Sequence, residues 1–462
     1  MKYITRISLL VTALCAVSSC ADSMTALEPS EIDALSAEDA VNSADEGLSD
    51  SGGNALPAPP ECNPNLRPVV MVHGFLASGD TWSKHAQRFM ANGWCYTHLR
   101  AFDWNTLDQS TNWSAQLGAF IDGVLEQTGA KAVDLIGHSA GAGLTYSHLS
   151  EQAAATKVQR YVYAGAGPQA QPAGPSGDIP TLYLWSKGDT VMQQTGEMPG
   201  ADNVVLETED HYSVVSSENS FRAIFAFLNN GNQPATSEPR TGFKTEASGA
   251  TVAFAENTPT EGDLRIEALD PDTGWPLTDM EPTEVQPGLT GAWGPVAVPH
   301  GMPIRYTMVP SDGGRTVHYY REPMTASDPL VYIRTFPTGD GLASLLLSGL
   351  PFNASHSIVV VFSASRALDY TADSLKIDGV EVLSQATADP SNTSIAFFFY
   401  DQDEDGATSL EPNELFASFP FLAGLDMAIP ADGSTMTVQL NDRVLRLPKI
   451  ASDDAVTVVV FD

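Results

Sequence analysis

Between residues 66 and 230, short apolar runs alternate with stretches whose apolar positions recur at helical spacing. The runs at 69–73, 96–102, 132–136, 158–164, 181–189 and 204–211 read as strands. Between them, 82–92 reads as a helix, and 115–127 places Leu117, Phe120, Ile121, Val124 and Leu125 on one face. Such alternation predicts a doubly wound, mostly parallel sheet covered by helices, an α/β fold. The pattern then changes. After the polar stretch 232–243 come short β-rich runs separated by Pro and Gly: 249–255, 264–268, 304–309, 317–320 and 330–333, then 357–362, 375–382, 393–400, 436–439 and 456–461. They predict an all-β region over 244–462, with 251–320 as a small sandwich and two pieces, about 244–335 and 336–462, packing as one β-module or as two adjoining ones.

The run at 132–136 ends in Gly137-His138-Ser139-Ala140-Gly141 and is followed by a helix-like stretch. G-x-S-x-G between a strand and a helix presents a serine on a very sharp turn, with neighbours small enough for strand and helix to approach closely. Ser139 is therefore the candidate nucleophile. It needs a base, and the base needs a carboxylate to hold its tautomer. Asp189 ends the run at 181–189 and His211 follows the last strand, giving the order Ser, Asp, His. Asp202, Glu209 and Asp210 are the rival acids, the last two read as solvated charges. His73 and His138 lie in backbone turns, His85, His98 and His148 on a helix or strand. Phe75, after the His73-Gly74 turn, and Ala140 are the candidate backbone donors to an oxyanion.

These residues resemble the small secreted bacterial lipases of the α/β-hydrolase superfamily. The likeness covers 66–231: Pro68 to Gly74, Asn92-Gly93-Trp94, Thr128 to Gly141, Lys187-Gly188-Asp189-Thr190-Val191 and Glu209-Asp210-His211-Tyr212. It implies triacylglycerol or carboxylester hydrolysis, with Ser139, Asp189 and His211 as triad and Phe75 and Ala140 as oxyanion donors. The whole chain is similar to the two-domain version, whose C-terminal β-domain engages lipid or polymer or only stabilises. Ala140 departs from the Met or Gln common after the serine, without consequence for a backbone donor. The mechanism requires no cofactor. A polyester depolymerase or a soluble short-chain esterase would use the same residues; a non-catalytic surface binding protein would leave them idle.

Charge and cysteines place the chain. A net charge of −34 excludes nucleic acid as a partner, since nothing could neutralise phosphates. Residues 1–20 carry a basic start, an apolar stretch at 7–17 and Val17-Ser18-Ser19-Cys20, a secretory signal with a lipobox-like end and Cys20 as the lipidation candidate. Residues 21–61 hold nine acidic side chains in 21–60 and no Lys or Arg there, the composition of a disordered tether. The catalytic region is then 62–231. These features predict export, either to the bacterial envelope as a lipoprotein held only by its lipid anchor or to the exterior, with lipid or ester substrate met at an oil–water interface. In that oxidising setting Cys62 and Cys95, each beside an apolar strand, predict a disulfide.

One motif stands apart. Asp401, Asp403 and Asp405 alternate before Gly406, as in the first half of an EF-hand calcium loop. Position twelve is Pro412 rather than Glu, flanked by Glu411 and Glu414, and the preceding residues are strand-like rather than helical. A structural calcium site and an acidic hairpin turn both fit this pattern.

Overall fold

A computed structural model describes residues 62–462, apart from positions 243, 337–340, 342–343, 345–346, 414, 417–418 and 420. The segments read as signal and acidic tether, with Cys20, lie outside the described residues.

The first part is a six-stranded, all-parallel sheet in the order β2-β1-β3-β4-β5-β6. Its strands are β1 (Val69–Val72), β2 (Leu99–Phe102), β3 (Val133–His138), β4 (Val158–Ala164), β5 (Thr181–Ser186) and β6 (Asp202–Leu206). The helices are α1 (Ser83–Ala91), α2 (Trp113–Thr128), α3 (Ala140–His148), the short α4 (Gln152–Ala155) and α5 (Glu218–Leu228). All four residues of β1 are buried, because both faces of the sheet are covered. Successive side chains on a strand point to opposite faces. Val69 and Met71 accordingly pack with Ala86 and Phe89 of α1 and Phe221 and Ile224 of α5, while Val70 and Val72 pack with Leu117, Ile121 and Val124 of α2. The α2 N-terminus is capped by Asn112, whose side chain accepts from the Ala115 amide, and that of α5 by Ser217, which accepts from the Ser220 amide. Cys62 and Cys95 form a disulfide that ties the described N-terminal end to the start of the β2 segment.

Residues 235–237, inside the stretch read as a linker, are fixed rather than free. Asn92 at the end of α1 accepts from the Ala235 amide at 2.7 Å and donates to the Thr236 carbonyl at 2.7 Å. Arg88 donates to the Ser237 carbonyl at 2.8 Å.

The remaining strands are β7 (Thr245–Ala253), β8 (Gly262–Ala268), β9 (Thr283–Val285), β10 (Ala292–Val298), β11 (Ile304–Pro310), β12 (Val317–Arg321) and β13 (Asp328–Thr335). They continue as β14 (Val359–Ser363), β15 (Leu375–Ile377), β16 (Val380–Glu381), β17 (Ala396–Tyr400), β18 (Leu422–Asp426), β19 (Thr435–Leu440), β20 (Arg443–Pro448) and β21 (Val456–Phe461), with the short helix α6 (Gln385–Ala388) between β16 and β17. They build three layers. A sheet β10-β7-β13 and a sheet β16-β15-β19-β20 lie on either side of an eight-stranded sheet, β18-β17-β14-β21-β12-β11-β8-β9.

Of the two expected arrangements, one β-module or two adjoining units at about 244–335 and 336–462, the strand order fits the first. The last strand, β21, lies between β12 and β14 and pairs in parallel with both, so the two expected units share one sheet. Its run Val-Thr-Val-Val-Val-Phe is buried throughout, as a strand covered on both faces must be. The expected sandwich over 251–320 is likewise divided, β7 and β10 going to one sheet and β8, β11 and β12 to another.

The β-region is packed on the parallel sheet's domain. Val252, Leu330 and Tyr332 join the apolar core that holds Val69 and Trp82. Arg334 pairs with Asp80 at 2.6 Å, the Tyr332 hydroxyl meets Asp103 at 2.5 Å, and Ser83 donates to Asp328 at 2.7 Å. Burial pushes the Asp103 carboxyl up to about 6, against the hydrogen bonds from Tyr332 and the Gly79 amide that favour its charged form.

Candidate active site

The three sequence-predicted side chains come together at the carboxyl ends of β3, β5 and β6, where open α/β sheets place their sites. Ser139 follows β3 with φ 53° and ψ −120°, a conformation that strains a residue with a side chain. The strain is held by close packing. A Cβ on Gly141 would sit 2.3 Å from the His73 carbonyl oxygen, so only glycine lets α3 start this close to β1. The Ser139 amide donates to the Ala164 carbonyl at 2.9 Å, which anchors the turn to β4.

His211 Nε2 lies 2.9 Å from Ser139 Oγ, and His211 Nδ1 lies 2.8 Å from Asp189 Oδ2. The other Asp189 oxygen accepts from the Val191 and Met192 amides, each at 3.0 Å. Burial pushes the Asp189 carboxyl up, but the hydrogen bond and charge of His211, with the Met192 amide, outweigh it and leave the group below the ordinary carboxylate value. An ionised Asp189 fixes the proton on His211 Nδ1 and leaves Nε2 to accept from the serine hydroxyl. The arrangement can take a proton from Ser139 and hold the imidazolium that results.

Phe75 lines the cavity beside His211, and Ala140 directly follows Ser139 at the start of α3. Gly74 packs directly on the elbow: a Cβ there would lie 3.0 Å from His138 Nδ1 and 3.1 Å from Ser139 Cβ. The turn is closed by the Ala77 amide on the Gly74 carbonyl at 3.4 Å, and by the Leu76 amide on Thr106 Oγ1 at 3.0 Å. Leu76 takes φ 58°, a second strained residue beside the first.

The other histidines serve the structure around the site. His138 donates through Nε2 to the His211 carbonyl at 2.8 Å and packs its ring 4.8 Å from the His211 ring. Burial, reinforced by the neighbouring His211, drives it down to about 3, so it stays neutral. His73 is buried and lowered to about 4, again by desolvation. His148 bonds Ser114 of α2, His98 the Pro64 carbonyl, and His85 lies in the core beside Ser220. The rival acids are elsewhere. Asp202 is an exposed residue at the start of β6. Glu209 and Asp210 are not simply solvated, as expected, but organise the His211 loop. Glu209 accepts from Asn219, and Asp210 accepts from the Tyr212 and Ser213 amides and from Ala367 of the β-region.

Two residues that sequence reasoning missed come from the β-region. Asn257, at φ 56° after β7, inserts its amide beneath the turn that carries Phe75. Its Nδ2 donates to the Ala77 carbonyl at 2.7 Å and the Trp104 carbonyl at 3.1 Å, and lies 3.2 Å from His73 Nε2. Phe421 covers the His211 ring. Neither carries a local signal, because each gains its role only when strands far apart in the chain are brought together. A cavity opens beside them, lined by Phe75, Leu76 and His211 on one side and by Phe254, Phe362, Ile395 and Phe421 on the other. Of the charges at its wall, Arg334 pairs with Asp80 and Arg321 with Asp462, while Lys84 also lines it.

Comparison with known families fits this geometry. The class 2 lipase family model matches residues 66–157, and the lipase C-terminal domain model matches 244–337. These two matches liken the chain to lipases that carry a C-terminal domain. A further model, described as a C-terminal domain, matches 361–462. Among solved structures, the chain is similar to a Bacillus licheniformis lipase in mature form, at 17% identity over 36% of this chain and 94% of that one, with TM-score 0.29. It is similar to an esterase from Rhodococcus sp. ECU1013, at 15% identity over 37% and 94%, TM-score 0.29. It is also similar to a membrane phospholipase A described as a bacterial virulence factor, at 14% identity over 37% and 81%, TM-score 0.29. The family-model matches support a lipase/esterase-type hydrolase, a family whose substrates are lipids or esters.

Proposed function

We propose that this hydrolase is a triacylglycerol lipase working by two-step acyl transfer, with Ser139 as nucleophile, His211 as general base and acid, and Asp189 as its orienting carboxylate. The observation that carries the reading is the continuous pair of contacts Ser139 Oγ–His211 Nε2 and His211 Nδ1–Asp189 Oδ2, at 2.9 and 2.8 Å. Ser139 Oγ attacks the ester carbonyl carbon while His211 Nε2 takes the hydroxyl proton. The oxyanion is met by the Phe75 and Ala140 amides, each worth about 3 kcal/mol of barrier. Collapse breaks the bond to the alcohol oxygen, which leaves with the proton from His211. Water then attacks the acyl-enzyme, gives its proton to His211, and the acid departs as Ser139 is reprotonated. No step calls on a cofactor.

The apolar lining of the neighbouring cavity suits an acyl chain better than a polar substrate. The basic start, the apolar stretch at 7–17 and Cys20 support export, with a lipid anchor as the attachment to a membrane. Among the described residues no helix is long and apolar enough to cross one.

The test compares rates on emulsified long-chain triacylglycerol and on a soluble short-chain ester, using the chain from residue 21 onwards, with Ser139→Ala as blank. Turnover of the emulsion that the variant lacks supports the lipase reading. Activity on the soluble ester alone replaces it with an esterase.

A further inference from the structure

We infer that the loop leaving β17 is a calcium site. Asp401, Asp403 and Asp405 each place a carboxyl oxygen in a group whose members all lie within 4.8 Å of one another. Three like charges so close repel unless a cation lies among them. A surface cluster of this kind could relax into water, but Asp401 cannot. It is 1% exposed, and its Oδ1 is buried with no hydrogen-bond partner. Its Oδ2 is already used, accepting from the Gly406 amide at 2.9 Å, with His356 Nδ1 at 3.5 Å. A buried carboxylate oxygen without a donor is rare in native proteins, and a bound ion is one of its few explanations.

The chemistry of the group selects the ion. All the side-chain donors are hard oxygens, which suit calcium or magnesium and not zinc or copper. The loop carries aspartates at alternate positions, with Gly406 at φ 74° where a calcium loop turns sharply. Asp405 Oδ1 accepts from the Ala407 amide at 2.7 Å, which fixes the turn after the glycine. Magnesium demands a near-ideal octahedron and keeps its waters, so this adaptable set favours calcium. With Pro412 in place of a bidentate glutamate, the affinity belongs to the weak extracellular class, on the order of 10⁻⁴ M.

The position gives the ion a structural task. Asp401 directly follows β17, and Asp426 at the end of the neighbouring β18 accepts from the Gln402 amide at 2.9 Å and from Ser409 Oγ at 2.5 Å. The site thus anchors the first turn of the crossover between two parallel strands, and the last residue of that crossover is Phe421. This inference stands independently of the catalytic reading.

The test uses the full chain, stripped with EDTA and dialysed, in a calorimetric titration with CaCl₂, alongside thermal melts in EDTA, 5 mM CaCl₂ and 5 mM MgCl₂. One calcium per chain and a Tm rise of about 2–4 °C are expected. Asp403 is exposed, so Asp403→Asn should fold with the metal-free Tm of the parent, bind calcium at least about 10-fold more weakly and lose the Tm rise. No saturable heat up to 10-fold above the expected Kd, unchanged calcium binding by Asp403→Asn, or an equal response to magnesium would each overturn the assignment.

Discussion

The Phe421 ring lies nearly parallel to the His211 imidazole, with centroids 6.0 Å apart and planes within 10°. Phe421 belongs to the β-region, takes φ 72°, and has its carbonyl held by the Ile395 and Ala396 amides at 2.9 and 3.1 Å. A residue in a left-handed conformation persists only where its surroundings over-determine it. Here the surroundings are the starts of β17 and β18, so the β-region delivers an aromatic face to the base of the catalytic group.

An aromatic face against an imidazole is worth about 0.5–1.5 kcal/mol, more for the imidazolium than for the neutral ring. Phe421→Ala should therefore lower kcat by about 2- to 10-fold with little change in KM. Phe421→Tyr should restore most of the rate. A purely steric filler would instead be rescued equally well by Leu.

Asn257 ties the turn that carries Phe75 to the β-region. Its replacement by Ala removes the donor to the Ala77 and Trp104 carbonyls and leaves buried acceptors behind, a loss of about 2 kcal/mol. Urea melts should show it. Because the turn that carries Phe75 loses its support, kcat should also fall about 3- to 10-fold while KM stays near its starting value.

Acid sensitivity has an identifiable source. His318 on β12 is driven down to about 3 by burial, with the nearby Arg305 adding repulsion, and its Nδ1 pairs with Thr307 at 2.9 Å. An unfolded imidazole takes its proton near pH 6.5. Between there and pH 3 the unfolded chain binds more protons, so this contribution is complete above pH 6.5 and is lost as the pH falls. Asp103, raised to about 6, acts in the opposite sense, favouring the fold as the pH drops from 6 towards 3.8. Replacing His318 with Gln should make the stability lost between pH 7 and pH 4 smaller by about 2 kcal/mol, measured by denaturant melts at each pH.

The Cys62–Cys95 bond closes a loop with a sequence separation of 33. A loop of that length stabilises by about 3–4 kcal/mol through the unfolded chain. Reduction, or the Cys62→Ser/Cys95→Ser pair, should lower the midpoint of unfolding without altering kcat, since neither sulfur lies at Ser139.

What could be read from the sequence follows the range of the forces involved. The elbow around Ser139 was legible because its requirements are local: a buried run, glycines and a helix start. Asp189 and His211 were legible because the carboxyl ends of parallel strands converge on one edge. The contributions of Asn257 and Phe421 were not, since each depends on contacts across well over a hundred residues, as the Asn257 contact with His73 and the Phe421 contact with His211 do. The β-region misled for a related reason. Its runs show where strands lie, but the insertion of β21 between β12 and β14 is a long-range pairing that no local pattern announces.

The central claim is that Ser139 is the nucleophile. The most direct measurement is covalent labelling with a fluorophosphonate, read by intact mass and peptide mapping, beside ester hydrolysis rates for the parent and Ser139→Ala. One phosphonyl group on Ser139, with a fall in kcat of at least about 10³-fold in the variant, is the predicted result. Labelling at another residue, or hydrolysis by Ser139→Ala at the parent rate, would contradict it.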